Sequence, residues 1–477
     1  MLHHYLGDQP NEYAVAAALV LGKRDAISQE LRNAFAETGA VHVLAVSGLH
    51  VGFVLGALQL LLGWGFWRKP RWRWLRLSLI LLGIWLFALL TGLAPSVLRA
   101  ATMFSFLAIG SHLQRKGSTY NALAASAFLL LLINPQLLWN IGFQLSYLAV
   151  LGILFFQPRI ERSVYFSHQV ARKGWTLLSV AIAAQLTTFP LSLYYFHQFP
   201  VYFLLTGLFV VLLAAGILYL AMALLLLSWW TGAATLLAKG LYWLLFLNNA
   251  LIFGVQSLPF GLVRAIWISG AVVIVLYAIL FFLARQLRQQ HLKPWALLSS
   301  VILVLALYNW DIFQRQQQKQ AIVYDVRRAS AIDWMDGSQA YASTHQIDAA
   351  TVDYQLRPYR EQRGIQSIVP LANQTQLPHL WRHGAALAFR QQRWLLIDEH
   401  FKLPAASEPL VVDVVLLRQN PRLELARLDQ KIDAPLWVAD ASNAPWRVRQ
   451  WQAEADSLSL NFHYTSEDGA YIYSQKE

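Results

Sequence analysis

The 477 residues contain no cysteine, so the chain has no disulfide framework, no thiol nucleophile and no thiolate metal site. Charge is scarce: only 13% of residues are Asp, Glu, Lys or Arg. Between Glu37 and Glu161 there is no Asp or Glu at all. No acid in that stretch is available to pair a buried cation or to orient a base. Residues 1–11 hold no basic segment followed by an apolar core, so no signal peptide is predicted. There is no nucleotide-binding motif, and no internal repeat is visible.

What is present is apolar surface. Hydrophobic residues make up 57% of the chain, with 19 Trp and 25 Phe, and the mean hydropathy is +0.41. That composition excludes an ordinary soluble enzyme and predicts a polytopic α-helical membrane protein. About ten apolar runs have near-spanning length: 43–66, 75–92, 95–111, 119–133, 137–157, 175–196, 201–228, 234–253, 264–284 and 295–310. Before them, 1–40 reads as a surface or interfacial segment. In it, Ser28 is positioned to cap a helix over 29–37 with Leu31, Ala34 and Phe35 on one side.

The formal charge of +12 belongs to the apolar part: residues 1–318 carry 21 Lys and Arg against 7 acids, and 319–477 carry 17 against 19. Clusters such as Arg68, Lys69, Arg71, Arg73 and Arg76, then Arg115 and Lys116, follow odd-numbered runs. Basic loops face the cytoplasm. The N-terminus and the C-terminal segment are therefore expected outside the cytoplasm. A transmembrane region over 41–311, a polar linker over 312–320 and an extracytoplasmic α/β domain over 321–477 complete the expected organisation. In the last, Asp336-Gly337 marks a hairpin, 411–417 a buried strand and 446–454 a helix.

Polar residues interrupt the runs. In Val46-Ser47-Gly48-Leu49-His50, Ser47 and His50 share a helix face, while Gly48, Gly52 and Gly56 form a smooth stripe for close helix packing. His50 lies about 200° around from Gly48, which predicts separate polar and packing faces. Given the orientation above, Ser47, His50, Arg99, Gln144, Gln185, Thr188, Asn248 and Asn249 fall at similar depth near the outer side. Polar groups in hydrocarbon are costly unless they face protein or water, so a shared polar vestibule is predicted. The bland alternatives are back-bonded hydroxyls, a snorkelling Arg99 and a structural His50.

His42-Val43-Leu44-Ala45-Val46-Ser47-Gly48-Leu49-His50-Val51-Gly52 resembles the signature of the ComEC-type competence proteins. Pro95-Ser96-Val97-Leu98-Arg99-Ala100, Gly142-Phe143-Gln144-Leu145-Ser146-Tyr147 and Ala184-Gln185-Leu186-Thr187-Thr188-Phe189-Pro190 resemble further segments of that family, in order. The resemblance implies an inner-membrane, multi-pass channel that passes single-stranded DNA through the lipid bilayer during natural transformation. It implies partners among other DNA-uptake proteins, including a cytoplasmic ATP-driven motor. It also implies an N-terminal OB-like region, for which residues 1–40 are expected to hold no counterpart, and a C-terminal metallo-β-lactamase-like domain. The His-x-His-x-Asp-His cluster of that domain is missing: His345, His379, His383, His400 and His463 do not have its spacing. The expectation is a degenerate, non-catalytic domain with no metal and no cofactor. The rival readings are a permease for a small polar solute and a metal-dependent hydrolase in the C-terminal domain.

Overall fold

The computed structural model describes residues 2–63, 70–114, 118–289, 294–402 and 408–474. The chain divides into two compact units, 1–304 and 305–477. Of the basic residues used for orientation, Arg68, Lys69, Arg115, Lys116 and Lys293 lie outside the described residues.

The first unit opens with α1 (Leu2–Leu6), α2 (Pro10–Leu21), α3 (Gln29–Glu37) and α4 (Val41–Leu44). Longer helices follow: α5 (Gly48–Leu62), α6 (Arg73–Leu90), α7 (Pro95–His112), α8 (Thr119–Ile133), α9 (Ile141–Ser163), α10 (Gln169–Phe196), α11 (Phe203–Leu226), α12 (Thr231–Gln256), α13 (Gly270–Gln289) and α14 (Pro294–Gln316). Each expected apolar run coincides with one of these. Among the described residues six helices are long and apolar enough to cross a membrane: α6 and α9 to α13. Helices α5 and α8 are apolar but have only 15 residues each, roughly 22 Å against a hydrocarbon core of about 30 Å. Helix α7 has 18 residues, and Ser96, Arg99, Ser105 and His112 lower its hydropathy.

The N-terminal segment is not uniformly superficial. Ser28 caps α3, its hydroxyl accepting from the Leu31 amide at 3.2 Å, and Leu31, Ala34 and Phe35 are buried as expected. In α2, by contrast, every residue from Ala14 to Val20 is buried. A helix apolar all round belongs in a core; α2 shares one with residues of α3, α11 and α12.

Neighbouring helices pack antiparallel at glycines. A Cβ at Gly152 of α9 would collide with Thr187 and the Ala183 carbonyl of α10, and one at Gly83 of α6 would meet Leu58 of α5. A short antiparallel pair, β1 (Phe199–Pro200) with β2 (Leu262–Val263), ties two loops together.

The second unit is four layers deep. One sheet has the order β16 (Tyr471–Ser474), β3 (Lys319–Val323), β4 (Ser330–Asp336), β5 (Gln339–His345), β6 (Ser367–Pro370). The other has the order β15 (Phe462–Tyr464), β14 (Trp437–Ala439), β12 (Val414–Leu417), β10 (Gln392–Ile397), β9 (Ala386–Phe389), β8 (Leu380–His383), β7 (Gln374–Leu377). The run from β15 to β10 is parallel, the rest antiparallel. Period-two alternation decides which side chains meet. Ile332 and Trp334 join Trp394, Leu396, Val414 and Leu416 between the sheets. Leu395, Ile397, Val415 and Leu417 face outward onto α17 (Leu425–Asp429) and α18 (Pro445–Leu458). Ala331 and Met335 pack against the segment from α15 (Ala349–Thr351) to α16 (Arg357–Gln362). The remaining helix, α19 (Thr465–Asp468), is a single turn before β16.

Two expectations change. No separate linker occupies 312–320, because α14 runs to Gln316 and β3 starts at Lys319. The strand expected over 411–417 is two, β11 (Leu410–Val411) pairing with β13 (Ile432–Asp433), and β12. The break falls at Asp413, whose carboxylate accepts from the Arg393 amide at 2.7 Å. His379 immediately precedes β8, and His383 is its last residue.

Candidate functional site: a polar column at a broken helix

The first expected span is interrupted where its motif lies. Helix α4 ends at Leu44, Ser47 is extended (φ −110°, ψ 169°), and α5 begins at Gly48. Ser47 is an N-cap. Its hydroxyl accepts from the Leu49 amide at 3.3 Å, and the Ser47 amide donates to His50 Nδ1 at 3.2 Å, a reciprocal capping box. The freed Val46 carbonyl accepts from Ser96 of α7 at 2.9 Å. Because Nδ1 accepts the amide hydrogen, the imidazole proton is assigned to Nε2. That Nε2 is buried without a hydrogen-bond partner among the described residues.

Arg99 of α7 lies against this helix start. A Cβ at Gly48 would collide with its guanidinium, so glycine is required for the approach. Arg99 Nε donates to Ser146 of α9 at 2.7 Å, and its guanidinium carbon sits 5.9 Å from the Tyr147 ring centroid. Tyr147 in turn shares a 3.0 Å hydrogen bond with Ser126 of α8. Arg99 is only 6% exposed and makes no ion pair with a carboxylate among the described residues. The expected separation of polar and packing faces is therefore wrong at Gly48: the packing glycine is where the cation sits. Gly52 meets Phe104 of α7, and Gly56 meets Tyr219 of α11.

The other expected residues divide. Gln144 bridges the Leu138 carbonyl (2.7 Å) and the Tyr195 hydroxyl (3.3 Å). It lies on α9, two residues before Ser146. Thr188 bonds back to the Ala184 carbonyl within α10 at 2.9 Å. Gln185 is half-buried on the same helix. Thr187 reaches across to the Leu148 carbonyl of α9 at 2.7 Å. Asn248 and Asn249 are not in this column. They are buried on α12, where Asn249 Nδ2 donates to Glu12 of α2 at 3.4 Å. Sequence reading missed Glu12. The signal was an acid opening an otherwise apolar helix.

In the second unit, the parallel strands β10, β12 and β14 are followed immediately by Asp398, Arg418 and Asp440. Arg418 donates to Ser343 at 3.0 Å and lies 3.6 Å from Asp398. A cavity of about 450 Å³ adjoins these ends, lined in part by Asp398, His400, Asn420 and Arg422. Asp440 is fully buried, and burial pushes its carboxyl up to about 6, partly offset by hydrogen bonds from Ser442. No group of three or more His, Cys, Asp or Glu side chains is arranged to hold a metal among the described residues. Asp333 is committed elsewhere, to a bidentate pair with Arg360 at 2.7 and 2.8 Å.

The sequence profile described as competence protein matches residues 19–310, well over half of the chain. The chain belongs to the competence protein family. Residues 321–475 match the profile of the ComEC C-terminal domain. Among individual proteins, ComE operon protein 3 of Bacillus subtilis strain 168 is 35% identical over 193 residues, which is 40% of this chain and 23% of that protein. The uncharacterized protein YcaI of Escherichia coli K12 is 26% identical over 266 residues, 54% of this chain and 34% of that protein. An uncharacterized protein of Aquifex aeolicus is 36% identical over 145 residues, 30% and 32% of the two chains. The matches span about a quarter to a third of these relatives. No solved structure matches.

Proposed function

We propose that this chain takes part in DNA uptake as a channel for single-stranded DNA across the inner membrane. Its backbone phosphates would meet Arg99 at the start of α5. One observation carries the reading. A buried guanidinium lies on the N-terminal end of a helix, itself a positive pole, with no carboxylate paired to it among the described residues. Two like poles side by side call for an anion, and a phosphodiester suits the planar fork of arginine. Discontinuous helices aimed at anionic groups are a recurrent device in membrane transport. Tyr147 beside Arg99 offers a flat face for a base. Ser47, His50 and Gln144 are assigned to the same path, and Gln185 and Thr188 to its α10 side. Membership of the competence family supports DNA rather than a small solute. A motor driven by ATP would be a partner in the cytoplasm.

The test is transformation in a strain that depends on this chain. Arg99→Lys keeps the charge and loses the fork, so uptake should fall partially. Arg99→Gln should reduce it at least tenfold, with normal amounts in the membrane by immunoblot. Wild-type uptake in both variants would leave a snorkelling or structural arginine and sink the phosphate site.

A further inference from the structure

Glu12, Asn248 and Asn249 form a second polar site inside the helical unit, separate from the Arg99 column. The two asparagines sit on the buried stripe of α12 that otherwise reads Leu241, Leu245, Ile252 and Val255. Their exposures are 1% and 4%, and that of Glu12 is 8%. Glu12 stands in the first turn of α2, whose following residues Ala14–Val20 are all buried. One hydrogen bond is made, from Asn249 Nδ2 to Glu12 Oε1. Asn248 Nδ2, Asn248 Oδ1 and Asn249 Oδ1 have no partner among the described residues. No Lys, Arg or His forms an ion pair with Glu12 among them either.

Two debts arise around the Glu12–Asn249 contact: a carboxylate that has the Asn249 amide and the N-terminal turn of α2 beside it but no ion-pair partner among the described residues, and two orphaned amide oxygens, in aliphatic surroundings. A proton on Glu12 would neutralise the charge but satisfy one acceptor only. Water would satisfy acceptors and leave the charge. A cation answers both. Its charge is set by the single carboxylate: a divalent ion would leave a net positive charge in the core, and calcium or magnesium sites recruit more acid or more water than this position provides. Asn249 need only turn its amide over for its oxygen to face the ion.

We propose that Glu12, Asn248 and Asn249 bind a dehydrated monovalent cation, for which sodium is the probe. The site stands whether or not the Arg99 column carries DNA, because its test contains no DNA. The full chain, purified in detergent, is unfolded thermally in sodium chloride and in choline chloride at equal ionic strength. Sodium should raise the midpoint by several degrees with a saturable dose dependence. Glu12→Gln and Asn248→Leu should each flatten that dependence. Glu37→Gln, which breaks the exposed pair with Arg264, should leave it intact. Sodium titration of the wild-type chain by calorimetry gives an independent reading if Glu12→Gln does not fold. Equal midpoints in sodium and choline, no saturable heat, or a larger response to calcium than to sodium would each overturn the proposal. So would a midpoint that follows pH while ignoring sodium, which would make Glu12 a protonation site.

Discussion

At the scale of single residues, this chain places charge by subtraction. With no acid between Glu37 and Glu161, Arg99 takes hydroxyl, thioether and ring partners instead: Ser146, Met103 and Tyr147. Gly48 leaves the room that its guanidinium occupies. In the C-terminal unit the converse holds, with Asp440 buried next to donors too few to keep it readily ionised: its Oδ2 has no hydrogen-bond partner among the described residues. A carboxyl pushed up to about 6 from near 4 binds its proton more tightly when folded than when unfolded. Stability should therefore be greatest below about pH 4 with respect to this group and fall as pH rises to about 6, by roughly 3 kcal/mol in all. Denaturant unfolding of residues 319–477, which enclose their own cores, checks this. Asp440→Asn should flatten the slope between pH 4 and 6. An unchanged slope would mean that Asp440 does not titrate there.

At the scale of elements, the broken first helix and the buried α2 are the two departures from a simple row of spans. Both have local causes. Ser47 and His50 complete a capping box, which starts a helix rather than continuing one. In α2 the run from Ala14 to Val20 has no polar face, so only a site enclosed by other helices accepts it. The proposed orientation of the rows rests on loop charge and on the antiparallel contacts of α5 with α6, α9 with α10 and α11 with α12. Arg73 and Arg76 begin α6, and Arg159, Arg162 and Arg172 flank the α9–α10 turn; from these basic residues we propose that both ends face the cytoplasm. The segment after Lys319 should then be outside. A phosphatase fused there should be active and a cytoplasm-dependent fluorescent protein dark. The opposite pattern would reverse the orientation and the outward-facing column with it.

At the scale of the whole molecule, a helical unit precedes a two-sheet unit with helices on both outer faces. At the ends of the parallel strands, Arg418 lies 3.6 Å from Asp398 and its charge acts on Asp440. A guanidinium holds an anion in place but cannot lower the pKa of water as a metal does. Purified 319–477 should bind less than a tenth of an equivalent of zinc or manganese and leave DNA uncut. Stoichiometric metal with metal-dependent cleavage would make the domain a nuclease after all.

Much of this was legible in residue order because it is local or one-dimensional. Apolar run length predicted where the long helices lie, Ser28 the start of α3, and Asp336-Gly337 the β4–β5 hairpin. Four ordered motifs sufficed for the family. What sequence could not supply is which polar groups meet. Arg99 and Gly48 are 51 positions apart, Glu12 and Asn249 237, and nothing in either neighbourhood names the other. Similar depth put Asn248 and Asn249 with Arg99; packing put them with Glu12. Depth is one coordinate, and a chain can read it from hydropathy. The other two are decided by which helix faces fit together, and that is a property of the packed structure alone.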